Sequence, residues 1–381
     1  MESQKINHLF RGEVSFLSLP IIESFLKNFD RPMHFIIYFE DVHNEDIYVN
    51  LFKKYSYNDY ELWQCSEPSL LQKMWYFSFF AMHPLISRNL SWNKNINIVL
   101  LYNIYYKLKG NIILHHELYS SIVHVLNYMY IKKVWVCWGG IPQLSSKTSL
   151  LKITISGQIN KFMKDANMVL CLTTSDRKKI ENDFKIKSAL FCPYLSNLTY
   201  QYDPQKKKDN KILVGNSKWY IDSYIEIARI LSRYSDLDIT FLCAYGYDEK
   251  YEDKKQEIRE LLKNNTVTFW EDKVSKEVYM MRLKSFSVYV CSVMRQTGLG
   301  ACNASILSGS KLYLAGINLE HYRELGINVF NYKELANYTK SEEIFEYTDV
   351  IRNENFIQLQ KTYCKEMFVK RYSGVFDRLL K

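Results

Sequence analysis

The chain has 381 residues, with 50 Lys and Arg against 41 Asp and Glu, a formal net charge of +9. At roughly 100–200 residues per domain this length predicts two domains, and the 47% apolar content excludes a disordered chain. With 13 Gly and 7 Pro, a collagen-like or linker-rich architecture is excluded as well.

Charge-free apolar runs such as Met74–Ser87 and Leu118–Ile131, 14 residues each, fall short of the ~20 that a spanning helix needs. Met1–His8 has no basic stretch followed by an apolar one, so no secretory signal is expected. The cysteines at 65, 137, 171, 192, 243, 291, 302 and 364 never come closer than 11 positions and form no CxxC pair. They read as small hydrophobes of a reducing compartment, with no zinc cluster. A positive charge without a span predicts a soluble protein that meets an anion, whether nucleic acid, a phosphorylated ligand or an acidic membrane surface. The basic residues are scattered and no nucleic-acid-binding motif interleaves them, which disfavours the first.

In chain order, the first half predicts strands at His34–Phe39, Ile96–Tyr102, Asn111–Leu114, Val134–Trp138, Met168–Leu172 and Ala189–Cys192, with helices such as Tyr119–Tyr130 and Thr174–Phe184 between them. The aromatic stretch Lys73–His83, with Arg88, Trp92 and Lys94 beyond it, reads as a buried core helix or as a segment dipping into a headgroup layer. Tyr200–Asn210 is polar, carries Pro204 and a three-lysine run, and reads as a linker with solvated lysines.

After it the pattern is regular. Strands are expected at Lys211–Gly215, Asp238–Cys243, Thr266–Phe269, Val288–Cys291, Lys311–Ala315 and Asn328–Phe330, and helices at Ile221–Tyr234, Lys250–Lys263, Ser275–Lys284 and Leu299–Leu307. Strand starts 17 to 28 residues apart are the repeat of βα units in a parallel sheet. The expected domains are 1–203 and 204–354, with a helical tail at 355–381 crossing back onto the first.

In open α/β sheets ligands bind beyond the carboxyl ends of the strands, so the residues after each strand carry the chemistry. Gly215-Asn216-Ser217 offers close backbone approach and a helix cap. The segment Arg295-Gln296-Thr297-Gly298-Leu299-Gly300 sets a cation and a hydroxyl before two glycines that open a helix, a pattern suited to a diphosphate. No GxGxxG fingerprint follows the strand at 211–215, which lowers a dinucleotide reading. Tyr245, Tyr247, Phe269 and Trp270 lie where a nucleoside base would stack, or else pack in the core. Glu320, His321 and Glu324 follow the strand ending at Ala315. His115, His116 and Glu117 follow a first-half strand and offer a general base.

The segments Ile212–Ser217, Ala244–Tyr247, Arg295–Gly300 and Ala315–Asn318 are similar, in order and spacing, to the family 56 glycosyltransferases. In the first half, Ile113–Leu118 resembles that family's L-H-G-x-F segment and Trp135–Gly140 its W-x-x-W-G segment. The resemblance runs from about residue 110 to 335. It implies an α/β GT-B fold, two Rossmann-like domains facing a cleft, with the donor nucleotide in the C-terminal domain and no metal requirement. It also implies a dTDP-linked 4-acetamido-4,6-dideoxyhexose or similar deoxysugar as donor. The implied acceptor is a polyprenyl-diphosphate-linked saccharide, at the inner face of a bacterial inner membrane, in surface polysaccharide assembly. The implied donor-site residues are Gly215, Asn216, Ser217, Tyr247, Trp270, Arg295, Gln296, Thr297, Gly298, Leu299, Gly300 and Asn318, with Trp138, Gly139 and Gly140 on the acceptor side and His115 at the family's histidine position. One position departs: Ile141 stands where the family carries an acid, which passes the base role to His115, His116 or Glu117. A transferase with another nucleotide-sugar and acceptor, and a catalytically silent nucleotide-sugar-binding scaffold, are the alternatives.

Overall fold

A computed structural model describes residues 6–11, 15–39, 45–64, 71–73, 75, 98–108, 110–115, 120–138, 159–195, 208–217, 220–244 and 251–381. The chain divides into two compact units. One takes residues 1–172, 176–195 and 368–381, the other 173–175 and 196–367.

The first unit is built on strands β1 (Ile6–Arg11), β2 (Met33–Phe39), β3 (Tyr60–Gln64), β4 (Asn111–Leu114), β5 (Lys133–Cys137), β6 (Met168–Cys171) and β7 (Ala189–Phe191), in sheet order β3-β2-β1-β4-β5-β6-β7. Every pairing is parallel. β2 and β5 are buried along their whole length, as expected for strands with apolar cover on both faces. The second unit has β8 (Asp209–Val214), β9 (Asp238–Leu242), β10 (Thr266–Trp270), β11 (Phe286–Cys291), β12 (Lys311–Leu314) and β13 (Phe330–Asn331), in order β10-β9-β8-β11-β12-β13. This sheet is also parallel throughout. Counted within each unit both orders begin 3-2-1-4-5-6, the doubly wound arrangement whose switch point falls between the first and fourth strands. Those strands are β1 and β4 in one unit and β8 and β11 in the other.

Several expectations are corrected. Ile96–Tyr102 was expected as a strand, but residues 98–107 form the helix Ile98–Lys107. Leu101, Ile104 and Leu108 are buried while Tyr105 and Tyr106 face outward, a helical period that a run of apolar residues conceals. β1 escaped the sequence pattern because Asn7 and His8 interrupt it. Both are buried: Asn7 Nδ2 donates to the Asn111 carbonyl at 3.0 Å, and His8 pairs with His115. Edge strand β3 escaped because its alternation is shallow, with Glu61 exposed between half-buried neighbours.

The tail is two helices rather than one, separated where Cys364 turns extended. Asp349–Tyr363 belongs to the second unit, where Leu359 joins the core and Asn355 exchanges two hydrogen bonds with the Asn328 backbone. Lys365–Leu380 contributes Phe368, Tyr372, Val375, Phe376 and Leu379 to the core of the first unit. Of the expected linker, residues 208–210 are described, and two of them open β8. Lys208 is anchored rather than solvated, its Nζ donating to the Phe286 carbonyl at 2.9 Å and to Ser310 Oγ at 2.7 Å.

No helix among the described residues is long and apolar enough to cross a membrane. Most of the aromatic stretch at 73–83 lies outside the described residues. Trp75 is half-buried and stacks edge-on against Tyr102 of helix Ile98–Lys107, with ring centroids 5.5 Å apart.

Candidate functional site

The second unit places its polar loops at the β8/β11 switch point. After β8 the chain turns at Gly215, whose φ is +77° and whose N–H donates to the Val290 carbonyl at 2.8 Å. A Cβ at Gly215 would lie 2.1 Å from the Tyr224 ring, so the position excludes any side chain. Tyr224, on helix Ile221–Leu231, explains that closeness. Its hydroxyl accepts the backbone N–H groups of Asn216 (3.0 Å) and Ser217 (2.9 Å) and lies 2.6 Å from the Ser217 carbonyl it donates to. Burial pushes this phenol well above its ordinary pKa, so it stays a neutral clamp on the turn.

The loop after β11 meets the turn side by side. Asn216 Nδ2 donates to Thr297 Oγ1 at 2.8 Å, and Asn318 Nδ2 donates to the Thr297 carbonyl at 2.6 Å, so two amides fix one threonine. Gly298, at φ +60°, is the N-cap of helix Leu299–Leu307 and, as a glycine, offers no side chain to cap it. The first backbone N–H groups of a helix have no intrahelical acceptor, and here they add to the positive end of the dipole. Gly300 is exposed, and a Cβ there would have no atom of the described residues within 4 Å, so none of them covers the helix start at this position. Arg295 is exposed and oriented by Tyr220, whose hydroxyl accepts from Nη2 at 2.7 Å and from Nε at 3.1 Å.

Among the described residues, three buried acceptors here have no partner: Asn216 Oδ1, Gln296 Oε1 and Asn318 Oδ1. Asn318 is 1% exposed and Gln296 8%. An orphaned buried carbonyl costs about 1–3 kcal/mol, and a ligand carrying hydroxyl or amide hydrogens relieves that cost. Chemically the site combines donors for an anion with acceptors for hydroxyl groups beside it.

Among the residues expected at the site, the structure brings together Gly215, Asn216, Ser217, Arg295, Gln296, Thr297, Gly298, Leu299, Gly300 and Asn318. Trp270 lies at the end of edge strand β10, buried, with its indole N–H on the Asp272 carbonyl and the Arg282 guanidinium 5.0 Å from the ring centroid. Phe269 is packed against Phe241 and under Arg259. Tyr245 and Tyr247 lie outside the described residues. His321 is fully buried against the Tyr363 hydroxyl, and burial lowers its pKa to about 3. Glu320 and Glu324 are exposed. Tyr220 and Tyr224 were not singled out from the sequence. Nothing in local spacing marks them, because Arg295 is 75 residues from Tyr220 and the two meet through the adjacency of β8 and β11.

In the first unit, His115 follows β4 at the β1/β4 switch point and is fully buried. Its Nε2 lies 3.0 Å from His8 Nδ1, its Nδ1 2.7 Å from the Tyr194 hydroxyl, and its ring stacks on Phe10 with centroids 4.2 Å apart. Trp138, one residue past β5, is half-buried and donates from Nε1 to the Tyr194 hydroxyl at 2.9 Å. His116, Glu117, Gly139, Gly140 and Ile141 lie outside the described residues.

The architecture, two doubly wound parallel-sheet units in one chain, is the GT-B fold. Among solved structures, the chain is similar to TarM, with a TM-score of 0.65 at 11% identity over 98% of both chains. It is similar to Anabaena HepE, solved in complex with UDP and glucose, with a TM-score of 0.63 at 12% identity over 98% of this chain and 99% of that one. The α,α-trehalose-phosphate synthase (UDP-forming) of Burkholderia vietnamiensis gives a TM-score of 0.60 at 11% identity, over 98% and 99% of the two chains. No family model matches the chain. No curated protein matches it in sequence.

Proposed function

We propose that the chain is a glycosyltransferase that holds a nucleoside-diphosphate sugar at the β8/β11 switch point of its second unit. The observation that carries this reading is the glycine-capped helix start at Gly298–Gly300, flanked by Arg295 and by the carbonyls of Asn216, Gln296 and Asn318, which have no partner among the described residues. Helix N–H groups and the guanidinium would take the diphosphate and stabilise it as it leaves. The amide carbonyls would accept hydroxyl hydrogens of the sugar beside it. HepE with UDP and glucose, and a TarM mutant structure with UDP and alpha-GlcNAc-glycerol, share the fold and support a nucleotide-sugar donor.

The finer reading follows the sequence resemblance. The donor is a dTDP-linked deoxyhexose, the acceptor a lipid-diphosphate-linked saccharide, and the setting the inner face of a bacterial membrane, with Trp138, Gly139 and Gly140 on the acceptor side. The candidates this reading gives for the general base are His115, His116 and Glu117. Isothermal titration with dTDP and UDP tests the donor: binding of either is expected, and no heat with both rejects the reading. Mass spectrometry of a dTDP-sugar with a synthetic lipid-diphosphate acceptor then separates a transferase from a silent binding protein, which would yield no sugar transfer.

A further inference from the structure

The side chains of Trp138, Tyr194, His115 and His8 lie in one hydrogen-bonded line across the first unit, and their protons are ordered by what each group can donate. An indole N–H is a donor and nothing else, so Trp138 Nε1–H donates to the Tyr194 oxygen at 2.9 Å. The Tyr194 proton then has one acceptor among the described residues, His115 Nδ1 at 2.7 Å. With Nδ1 accepting, a neutral His115 carries its proton on Nε2 and donates it to His8 Nδ1 at 3.0 Å. His8 therefore carries its proton on Nε2, which has no polar partner among the described residues, and its ring packs against Phe25, Phe35 and Phe376. Aromatic faces accept an N–H weakly and repel a lone pair, so the far end of the line agrees with the direction set at its start. Burial holds His8 neutral, its pKa lowered to about 3.

We propose that this one-way line fixes the Trp138 indole at the carboxyl end of β5, with His115, Tyr194 and His8 as positioning residues and His115 held as its Nε2–H tautomer rather than serving as a base. The lone pair of His115 is spent on Tyr194 and its proton on His8, so neither nitrogen is left for an acceptor hydroxyl. The polar edge of Trp138 is likewise spent inward. Trp138 is packed on one side against the core and half-exposed, so a ligand at this strand end would meet its apolar, electron-rich ring surface, which suits the C–H face of a pyranose ring. This ligand class rests on the transferase reading; the proton order does not.

Long-range proton–nitrogen NMR correlations of the histidine- and tryptophan-labelled full chain test the line. In the wild type His115 is expected as the Nε2–H tautomer, and the Trp138 indole N–H as a slowly exchanging, downfield resonance. Tyr194→Phe keeps the ring and removes both bonds. The Trp138 N–H should then exchange at least about tenfold faster and move upfield, and His115 should lose its fixed tautomer pattern. An Nδ1–H tautomer of His115 in the wild type overturns the proposal, as does an unmoved Trp138 resonance in Tyr194→Phe. The wild-type tautomer decides the matter even if the variant does not fold. Failure of nucleotide binding would reject the transferase reading and leave the line untouched.

Discussion

Past the carboxyl ends of β8, β11 and β12 the second unit leaves the side-chain carbonyls of Asn216, Gln296 and Asn318 without partners among the described residues, beside a helix start whose N-cap is a glycine. Around the β1/β4 switch point the first unit links Trp138, Tyr194, His115 and His8 in one hydrogen-bonded line that leaves only its far end, His8 Nε2, without a polar partner among the described residues. The strand order around both places is the same. Topology therefore fixes where a ligand can sit, and the side chains at the switch point decide whether polarity is kept for a ligand or used to hold a ring in place. The second unit adds a contrast along its own sheet. Its carboxyl end is open and polar, whereas at the amino end of β12 Lys311 is 3% exposed and enclosed by the rings of Tyr313, Phe330 and Tyr338 at about 5 Å.

The largest expected effect breaks the open site from within. Gly215→Ala puts a Cβ 2.1 Å from the Tyr224 ring at φ +77°, which should cost about 3–4 kcal/mol from left-handed strain plus overpacking. Urea unfolding of the variant measures it, and a loss under about 1 kcal/mol would show that the turn is not built around Tyr224.

The buried lysine tests the opposite end of the same sheet. Burial lowers the Lys311 pKa from 10.5 to about 8, so the unfolded chain binds its proton more tightly and the charged form opposes folding below pH 8. As pH rises from about 8 to 10.5 that opposition fades, and the wild type should gain roughly 2–3 kcal/mol relative to Lys311→Met. Paired unfolding curves at pH 7 and pH 10 give this difference; a gap that does not change with pH contradicts it.

Arg295→Ala sharpens the ligand side. The residue is exposed and held through Tyr220, so folding should be unaffected while affinity for dTDP or UDP falls by about 1.5–3 kcal/mol, the range for hydrogen bonds to charged groups. Titration calorimetry reads the fall. The smallest effect belongs to the exposed ion pair of Arg31 with Asp377, 2.7 Å apart, which joins the last helix to the first unit. Arg31→Ala should cost under about 1 kcal/mol by thermal unfolding, because that helix is held by Phe368, Tyr372 and Phe376 in the core rather than by surface charge.

The sequence made much of the second unit legible. Its strands are short apolar runs set off by polar turns, and Gly298 marks the start of helix Leu299–Leu307 at the bounds the structure shows. The first unit hid more. β1 holds two buried polar residues whose partners, Asn111 and His115, lie over a hundred positions away, so no local window shows why they are inside. The same separation hid the Tyr220 support of Arg295 and the contacts of His115 with His8 and Tyr194. Glycine spacing and strand periodicity are local signals; which amide faces which threonine is settled by sheet order.

The most direct test uses Gly300, where an added Cβ meets no atom of the described residues within 4 Å. Gly300→Glu places a carboxylate in the first turn of helix Leu299–Leu307, which favours the fold through the dipole and helix propensity, yet sets like charge against a diphosphate. Calorimetric titration of wild type and variant with UDP and dTDP, beside their urea unfolding curves, gives the answer. The account predicts unchanged or slightly higher stability, with binding seen in the wild type and lost in the variant. A variant that binds nucleotide as tightly as the wild type would contradict the placement of the diphosphate at this helix start.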